Sequence, residues 1–380
     1  MSHSRRLWDM DGSEPAGVPN PSSPPSPSRP RKADRDVPAA AAQRWKNRPP
    51  GANWGAFGDE DQQGRLNLIT AERRRQAAAE VREGIAFCLS LPLDCPGGKA
   101  FDRARLPPIF HPVIRDGRIN FNLAMDADDP SRTDVRADQA VLLHPKYATH
   151  WEALSHKGAL FDADGDQIPE RVFYNGHRIV DPETGQGTQG ALGAIALSIA
   201  VMAETCVQGR GVLVDLHHHL GNERVVVGYE QLQRIMKADG VVVEEGDILC
   251  LRTGMGRLLM RAREAPDPSL SRSCAVLDGH DPRLLKWITQ SGVAAITTDN
   301  VNVETMASTV VAPGLRAPGP SLPLHEHCLF KLGIHIGELW YFAELADWLR
   351  AHGRSRFLLT APPIRLPGAT SAPACPVGTV

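Results

Sequence analysis

The stretch HPKYATHWEALSH, residues 144–156, decides how this chain is read. It places His144, Lys146, His150, Glu152 and His156 at positions of one parity. On a helix, residues six apart lie about 240° apart around the axis, so His150 and His156 diverge. In an extended segment, side chains alternate with period 2, and these five project to one side. Tyr147, Thr149 and Trp151 suit a strand, and Pro145 marks its beginning or an edge. Imidazole nitrogen and carboxylate oxygen suit Zn²⁺, Mn²⁺ or Fe²⁺, and a catalytic site needs about three protein ligands plus an open position. His150 and Glu152 are candidates for two of these ligands, and His156 for a proton carrier. Taken alone, the cluster is equally compatible with a surface or structural group of histidines. Ser155 faces away from His156 on a strand, which argues against a serine nucleophile served by it.

Two further groups share these residue types. PLHEHCLFKLGIHIGELW, residues 323–340, carries His325, Glu326, His327, His335 and Glu338, and Glu338 is read as the start of an amphipathic helix. A carboxylate in a first helical turn is favoured by the helix dipole whatever its function. VDLHHHLG, residues 214–221, places Asp215 and three adjacent histidines after an apolar strand; adjacent residues cannot all face one way. GQGTQGALGA, residues 185–194, fits neither a P-loop nor a dinucleotide fingerprint and reads as a helix-entry turn.

Composition bounds the partners. With 380 residues, 42% of them hydrophobic, the chain can bury a sizeable core. A formal net charge of -2 and a pI of about 6.7 supply no field that gathers nucleic acid or an anionic membrane, so a small-molecule substrate is expected. Seven scattered cysteines without a CxxC pair read as mostly buried, reduced thiols. The first residues lack the apolar stretch of a secretory signal, and a cytoplasmic location is expected. The apolar run Ala191–Ala203 is shorter than the roughly 20 residues that span a bilayer, so it is expected to form a buried helix.

Residues 1–50 hold ten of the 31 prolines and few aliphatic residues, the composition of a disordered tail. A single folded domain is expected over 51–380. FCLSLPL, QAVLLH, GVLVDL and DILCLRTG read as strands. Helices are expected from Ala71 to about Glu83 with Thr70 as N-cap, and over Leu192–Val207, Tyr229–Ala238, Pro282–Gln290 and Gly337–His352. Strands alternating with helices, without an internal repeat, point to an α/β domain, and irregular strand spacing argues against a clean doubly wound sheet. Arg252, Trp54 and Phe57 are read first as structural, an ion-paired arginine and core aromatics.

THWEALSH, residues 149–156, resembles the HxGTHxDxPxH metal-site motif of the cyclase family, which includes bacterial kynurenine formamidases and isatin hydrolases. NWGAFGDEDQQGRLNLIT, FYNG, GRGVLVDLHHHLG, EEGDILCLRTG, TTDNVNVE, PLHEHCLFKLGIHIGELW and FLLTAPPIRLPGATSAPACPV resemble successive blocks of its longer members, from residue 53 to the end. The resemblance implies a mixed, barrel-like sheet in a single α/β domain of the swivelling β/β/α type. It also implies a divalent metal, Zn or Mn, and a homo-oligomer. Carried over by position, it makes His150 and Glu152 metal ligands, His156 the proton carrier, His325 a further metal-site histidine and Glu338 the carboxylate that closes the site. The activity implied is hydrolysis of a small amide, lactam or ester by metal-activated water.

The departures are specific. Lys146 stands where the motif has its first histidine, and an ammonium cannot coordinate a metal. His144 is the candidate substitute, or Lys146 sheds its proton. Glu152 replaces Asp, and Ala148 and Leu154 replace the motif's Gly and Pro. Two other readings follow: a cyclase, dehydratase or isomerase using Lys146 and His156 as acid and base, and a metal-free homologue that binds without turnover.

Overall fold

The computed structural model describes residues 44–98, 104–263, 267–305 and 319–380. The N-terminal tail expected over 1–50 lies almost wholly outside the described residues. Arg44–Pro50 are described and lean on the domain: Lys46 N–H donates to Ala163 O at 2.7 Å and Trp45 packs on Trp54.

A nine-stranded mixed sheet organises the described residues. In chain order its strands are β1 (Ala86–Cys88), β2 (His150–Glu152), β3 (Gln208–Asp215), β4 (Ile248–Arg252), β5 (Ala295–Thr298), β6 (His335–Glu338), β7 (Arg356–Thr360), β8 (Ser371–Pro373) and β9 (Val377–Thr379). Their order across the sheet is β1-β9-β7-β3-β4-β5-β6-β2-β8. The centre, β3-β4-β5-β6, is parallel, and the strands outside it pair antiparallel. This is the mixed, curled α/β architecture expected above.

Parallel strands must be covered on both faces, and their sequences show it. Val212, Val214, Leu249, Leu251 and Ile296 enter one core, while Leu213, Ile248, Cys250 and Ala295 enter another. Helices Tyr229–Ala238 and Pro282–Ser291 cover the first face through Leu232, Ile235, Leu284 and Ile288. Helix Ala343–Ala351 covers the second through Leu345, Ala346 and Leu349. Asp281 caps its helix by accepting from Arg283 N and Leu284 N, Pro282 opens it and Gly292 closes it at φ 69°, all local signals legible in the sequence.

Several elements differ from their sequence reading, among them the helix expected from Ala71 to about Glu83, which ends at Ala78. The strand expected through 144–156 is only His150–Glu152, with turns on either side. The helix expected over Leu192–Val207 is only Ile199–Glu204, and the apolar run before it is not a buried helix, since Leu192 is 74% exposed. Gly190 and Gly193 at φ 57° and 84° keep that stretch in turns, so the glycine-rich segment does not enter a helix directly. Glu338 begins no helix: it ends β6, Leu339 turns the chain at φ 59°, and the helix starts at Ala343. QAVLLH does form a strand, Gln139–Leu142, but pairs only with Ile109–Pro112 in an exposed two-stranded ribbon outside the main sheet.

Among the described residues, no helix is long and apolar enough to cross a membrane. All seven cysteines are unpaired, with Cys95, Cys250, Cys274 and Cys328 buried.

Candidate metal centre

Strand alternation sets the site. On β2, His150 and Glu152 face one way, while Trp151 faces the opposite core and packs on Trp340 with ring centroids 5.1 Å apart. The strand lies between β6 and β8, with His150 opposite Glu338 and Glu152 opposite Ile336. Pairing therefore brings Glu338, 188 positions away in the chain, beside His150.

His150 is fully buried, and its Nδ1–H donates to Ala148 O at 2.8 Å. Nε2 is thereby left as an acceptor, and this atom has no hydrogen-bond partner. Burial, aided by Lys146, pushes the imidazole down to about 3, so it is neutral at physiological pH, the form that ligates metal. Glu152 is fully buried as well. Its Oε1 accepts from Lys146 Nζ and lies 3.2 Å from His156 Nε2, while Oε2 has no hydrogen-bond partner. Burial opposes its charge, but His156, His325 and Lys146 outweigh burial and hold the carboxyl well below its usual range. Glu338 accepts from Val303 N–H at 3.0 Å through Oε1, and its Oε2 lies 3.8 Å from His150 Nε2.

These three residues each present a donor atom within 4.8 Å of the others. Orphaned buried polar atoms are costly unless something meets them. One neutral imidazole and two carboxylates, with His150 Nε2 and Glu152 Oε2 unsatisfied, fit a divalent cation.

Around them stands a layer of supporting groups. His325 Nε2 lies 3.4 Å from Glu152 Oε2 and 3.5 Å from Glu338 Oε1. Glu304 fixes the other side of that ring, accepting from His325 Nδ1 at 2.7 Å and from the backbone N–H of Leu324 and His325 at 3.0 and 2.8 Å. Burial would lower His325, but Glu152, Glu304 and Glu338 raise it to about 10. His335 Nδ1–H donates to Glu152 O at 3.0 Å, pinning the strand that carries the carboxylate.

Lys146 and His156 sit at the mouth. Lys146 Nζ donates to Glu152 and to His156 Nε2, the latter at 3.0 Å. Burial pushes His156 down to about 4, with Lys146 helping and Glu152 opposing. His156 is thus a neutral acceptor at neutral pH, fit to take a proton. Both side chains line an open cavity of about 700 Å³, whose walls include Glu304 and His325.

The fold therefore brings Lys146, His150, Glu152, His156, His325 and Glu338 into one group. His144 stands apart: among the described residues its side chain makes no hydrogen bond or ion pair with the group, and its backbone carbonyl closes the turn to Tyr147 N–H. A turn, rather than a continued strand, carries residues 144–149, so shared parity no longer places His144 with Lys146. The histidines of residues 217–219 are elsewhere: His217 bonds Asn222, and His219 bonds Asp239. Arg252 is ion-paired with Asp215 at 2.7 Å and Asp347 at 3.3 Å, and Trp54 is a core residue whose indole N–H donates to Phe330 O. Glu304 escaped the sequence reading. Its one signal was an acid closing TTDNVNVE, the block that begins on β5.

A curled mixed sheet with a buried His/Glu group at one edge defines a class of α/β protein, and the comparisons agree with it. A family model described as putative cyclase matches residues 88–305, more than half of the chain, and this chain belongs to that family. A crystal structure described as a novel cyclase is 30% identical, superposes with a TM-score of 0.66, and the match covers 87% of this chain and 99% of the other. At lower similarity lie an isatin hydrolase bound to the product analogue thioisatinate (12% identity, TM-score 0.48, 82% of this chain and 99% of that one). Isatin hydrolase A from Ralstonia solanacearum is also similar (13%, TM-score 0.47, 82% and 96%). No curated protein matches.

Proposed function

We propose that this chain is a metal-dependent hydrolase of small amides, lactams or esters. The observation that carries the reading is the pair of orphaned, fully buried donor atoms, His150 Nε2 and Glu152 Oε2, grouped with Glu338 next to Lys146, His156 and His325, which line a cavity. His150, Glu152 and Glu338 would hold the ion, Zn or Mn by donor type, with His325 beside them. When bound, such an ion lowers the pKa of water and polarises a carbonyl. The protein's own part is positional and protonic. Neutral His156 accepts a proton through Nε2 and passes it to the leaving nitrogen or oxygen. Lys146, hydrogen-bonded to that same Nε2, keeps His156 from protonating in advance and supplies a positive charge where an oxyanion develops. Glu304 holds the His325 ring in place through Nδ1.

Metal analysis of untagged protein prepared without chelator is expected to find near-stoichiometric Zn or Mn. Chelation should abolish hydrolysis of a panel of amides, lactams and esters, and His150→Ala should lose the ion. Protein that neither retains nor takes up metal, and that ignores chelator, would overturn the reading.

A second reading rests on the Lys146–His156 contact. Two adjacent groups of this kind serve as acid and base for a cyclisation, dehydration or isomerisation, and turnover that persists without metal would favour it.

The reading includes a cytoplasmic, self-associating protein. The free cysteines suit a reducing compartment. The ribbon of Ile109–Pro112 and Gln139–Leu142 is exposed on both faces, with Phe110 65% exposed, and an isolated hairpin is marginal in water. Nearby Arg115, Asp116, Asp134, Arg136 and Asp138 interleave both signs, which suits pairing with a second copy, while Arg118 already meets Asp128 within the chain. Native mass measurement is expected to find a dimer or higher oligomer that Phe110→Asp weakens; a monomeric wild type excludes it.

A further inference from the structure

Cations wall the cavity above the His/Glu group. Arg105, Lys146, Arg224 and Arg272 line it, and Glu304 is the one carboxylate among the lining residues. The charge of Glu304 is already engaged within the wall, since its carboxylate ion-pairs with His325 at 2.7 Å and also accepts from the backbone N–H of Leu324 and His325. Lys146 is committed to Glu152. Arg105 donates to Lys146 O at 3.3 Å.

Arg224 and Arg272 are different. Arg224 donates through Nη1 to Cys274 O at 3.3 Å and through Nη2 to Ser271 O at 2.6 Å. Carbonyl oxygens orient a guanidinium without cancelling its charge. Arg272 ends the short helical turn Pro268–Arg272 and is exposed. Among the described residues, neither arginine makes an ion pair, although elsewhere in this chain Arg252, Arg257 and Arg350 all meet carboxylates. Burial also draws Arg224 below its ordinary value, as happens to a partly desolvated cation with no facing anion.

A cavity of about 700 Å³ is of the size that encloses a small organic molecule. Guanidinium groups recognise planar carboxylates through paired N–H donors. We infer that the substrate carries, besides the carbonyl that is attacked, a second and non-reacting carboxylate, which Arg224 and Arg272 bind. This deepens the hydrolase reading and rests on it. The two arginines act as specificity determinants: they hold the remote carboxylate while His156 and the buried ligands face the reacting carbonyl. They also raise the local concentration of an anionic substrate, an effect that salt screens.

The test uses the full-length metal-loaded protein and two matched esters, 4-acetoxybenzoate and methyl 4-acetoxybenzoate. The ratio of their kcat/KM values is expected to exceed about 10 in favour of the anion, mostly through KM. Arg224→Gln with Arg272→Gln is expected to cut that ratio at least about tenfold, and raised salt to cut it in the parent. An unchanged ratio, or an equal fall for both esters, overturns the assignment, since a merely structural role moves both together. Calorimetry keeps the inference separable from the hydrolase reading. Terephthalate and benzoate share one carboxylate and differ in the second. Terephthalate is expected to bind about tenfold more tightly, an advantage the double variant loses; equal binding of the two acids, or none, overturns the inference. If neither ester turns over but terephthalate keeps its advantage, hydrolysis is the reading that fails.

Discussion

Glu152→Gln is expected to weaken metal retention by more than about 100-fold, beyond what losing an outer hydrogen-bond partner costs. Hydrolytic kcat/KM should fall on the order of 10³-fold, the scale of losing a major electrostatic group in a site. The amide keeps the shape and can still accept from Lys146 through its oxygen, so the loss reports charge rather than packing. Charge matters here because Glu152 is fully buried and faces Lys146, His156 and His325 together. Removing one partner of a buried ionic group leaves the others uncompensated, and a loss of about 3 kcal/mol or more in unfolding free energy should accompany the kinetic effect. Metal titration, initial rates and urea unfolding on the same preparation separate the terms. Wild-type metal affinity in the variant would remove Glu152 from the ligand set.

Lys146→Met should have the opposite signature in its two readouts. Activity is expected to fall about 10²- to 10⁴-fold, the usual range for a group acting in proton transfer. Metal affinity is expected to hold or rise, because an ammonium beside the donor set repels a cation and the thioether does not. Lys146→His goes further, restoring an imidazole at the position where the family motif has one, and should tighten metal binding at least about tenfold. A fall in both affinity and rate for Lys146→Met would mean that the lysine acts by holding Glu152 in place. Unaltered turnover would rule out its acid or electrostatic role.

The tight part of the site was visible in one segment because β alternation is local. Positions 150 and 152 share a face whatever surrounds them, and Trp151 between them supplies the buried anchor on the other side. Alternation misled at the ends of the same segment. His144 obeys the parity rule but sits in a turn, where the rule has no force. Lys146 also precedes the strand, yet its long flexible stem carries the ammonium back to Glu152.

Residue type and the family resemblance point to Glu338 as a candidate ligand, but it ends a strand instead of beginning a helix. The run from Ile334 to Trp348 is apolar enough to suit a buried strand or a helix, and period alone cannot separate them. Pairing with β5 and β2 on either side settles it as a strand, and those partners lie 40 and 188 positions away, counted from Ala295 to His335 and from His150 to Glu338. Glu304 was missed for a related reason. Its value comes from receiving three N–H groups of residues 324 and 325, and no local pattern encodes that meeting.

What the sequence by itself determined is therefore the chemistry available and its local presentation: an α/β chain, a His-x-Glu pair on one strand face, capped helices around apolar parallel strands, and a lysine where a histidine is expected. These follow from side-chain type and backbone period, which act over a few residues. That His150, Glu152 and Glu338 share a site was implied by the family resemblance, while the tertiary structure alone decided the register that brings them together, that Glu304 steers His325, that His144 is left out, and that arginines line the cavity. Those depend on strand register across the sheet, where burial of both faces selects one pairing out of many that the same local sequence allows.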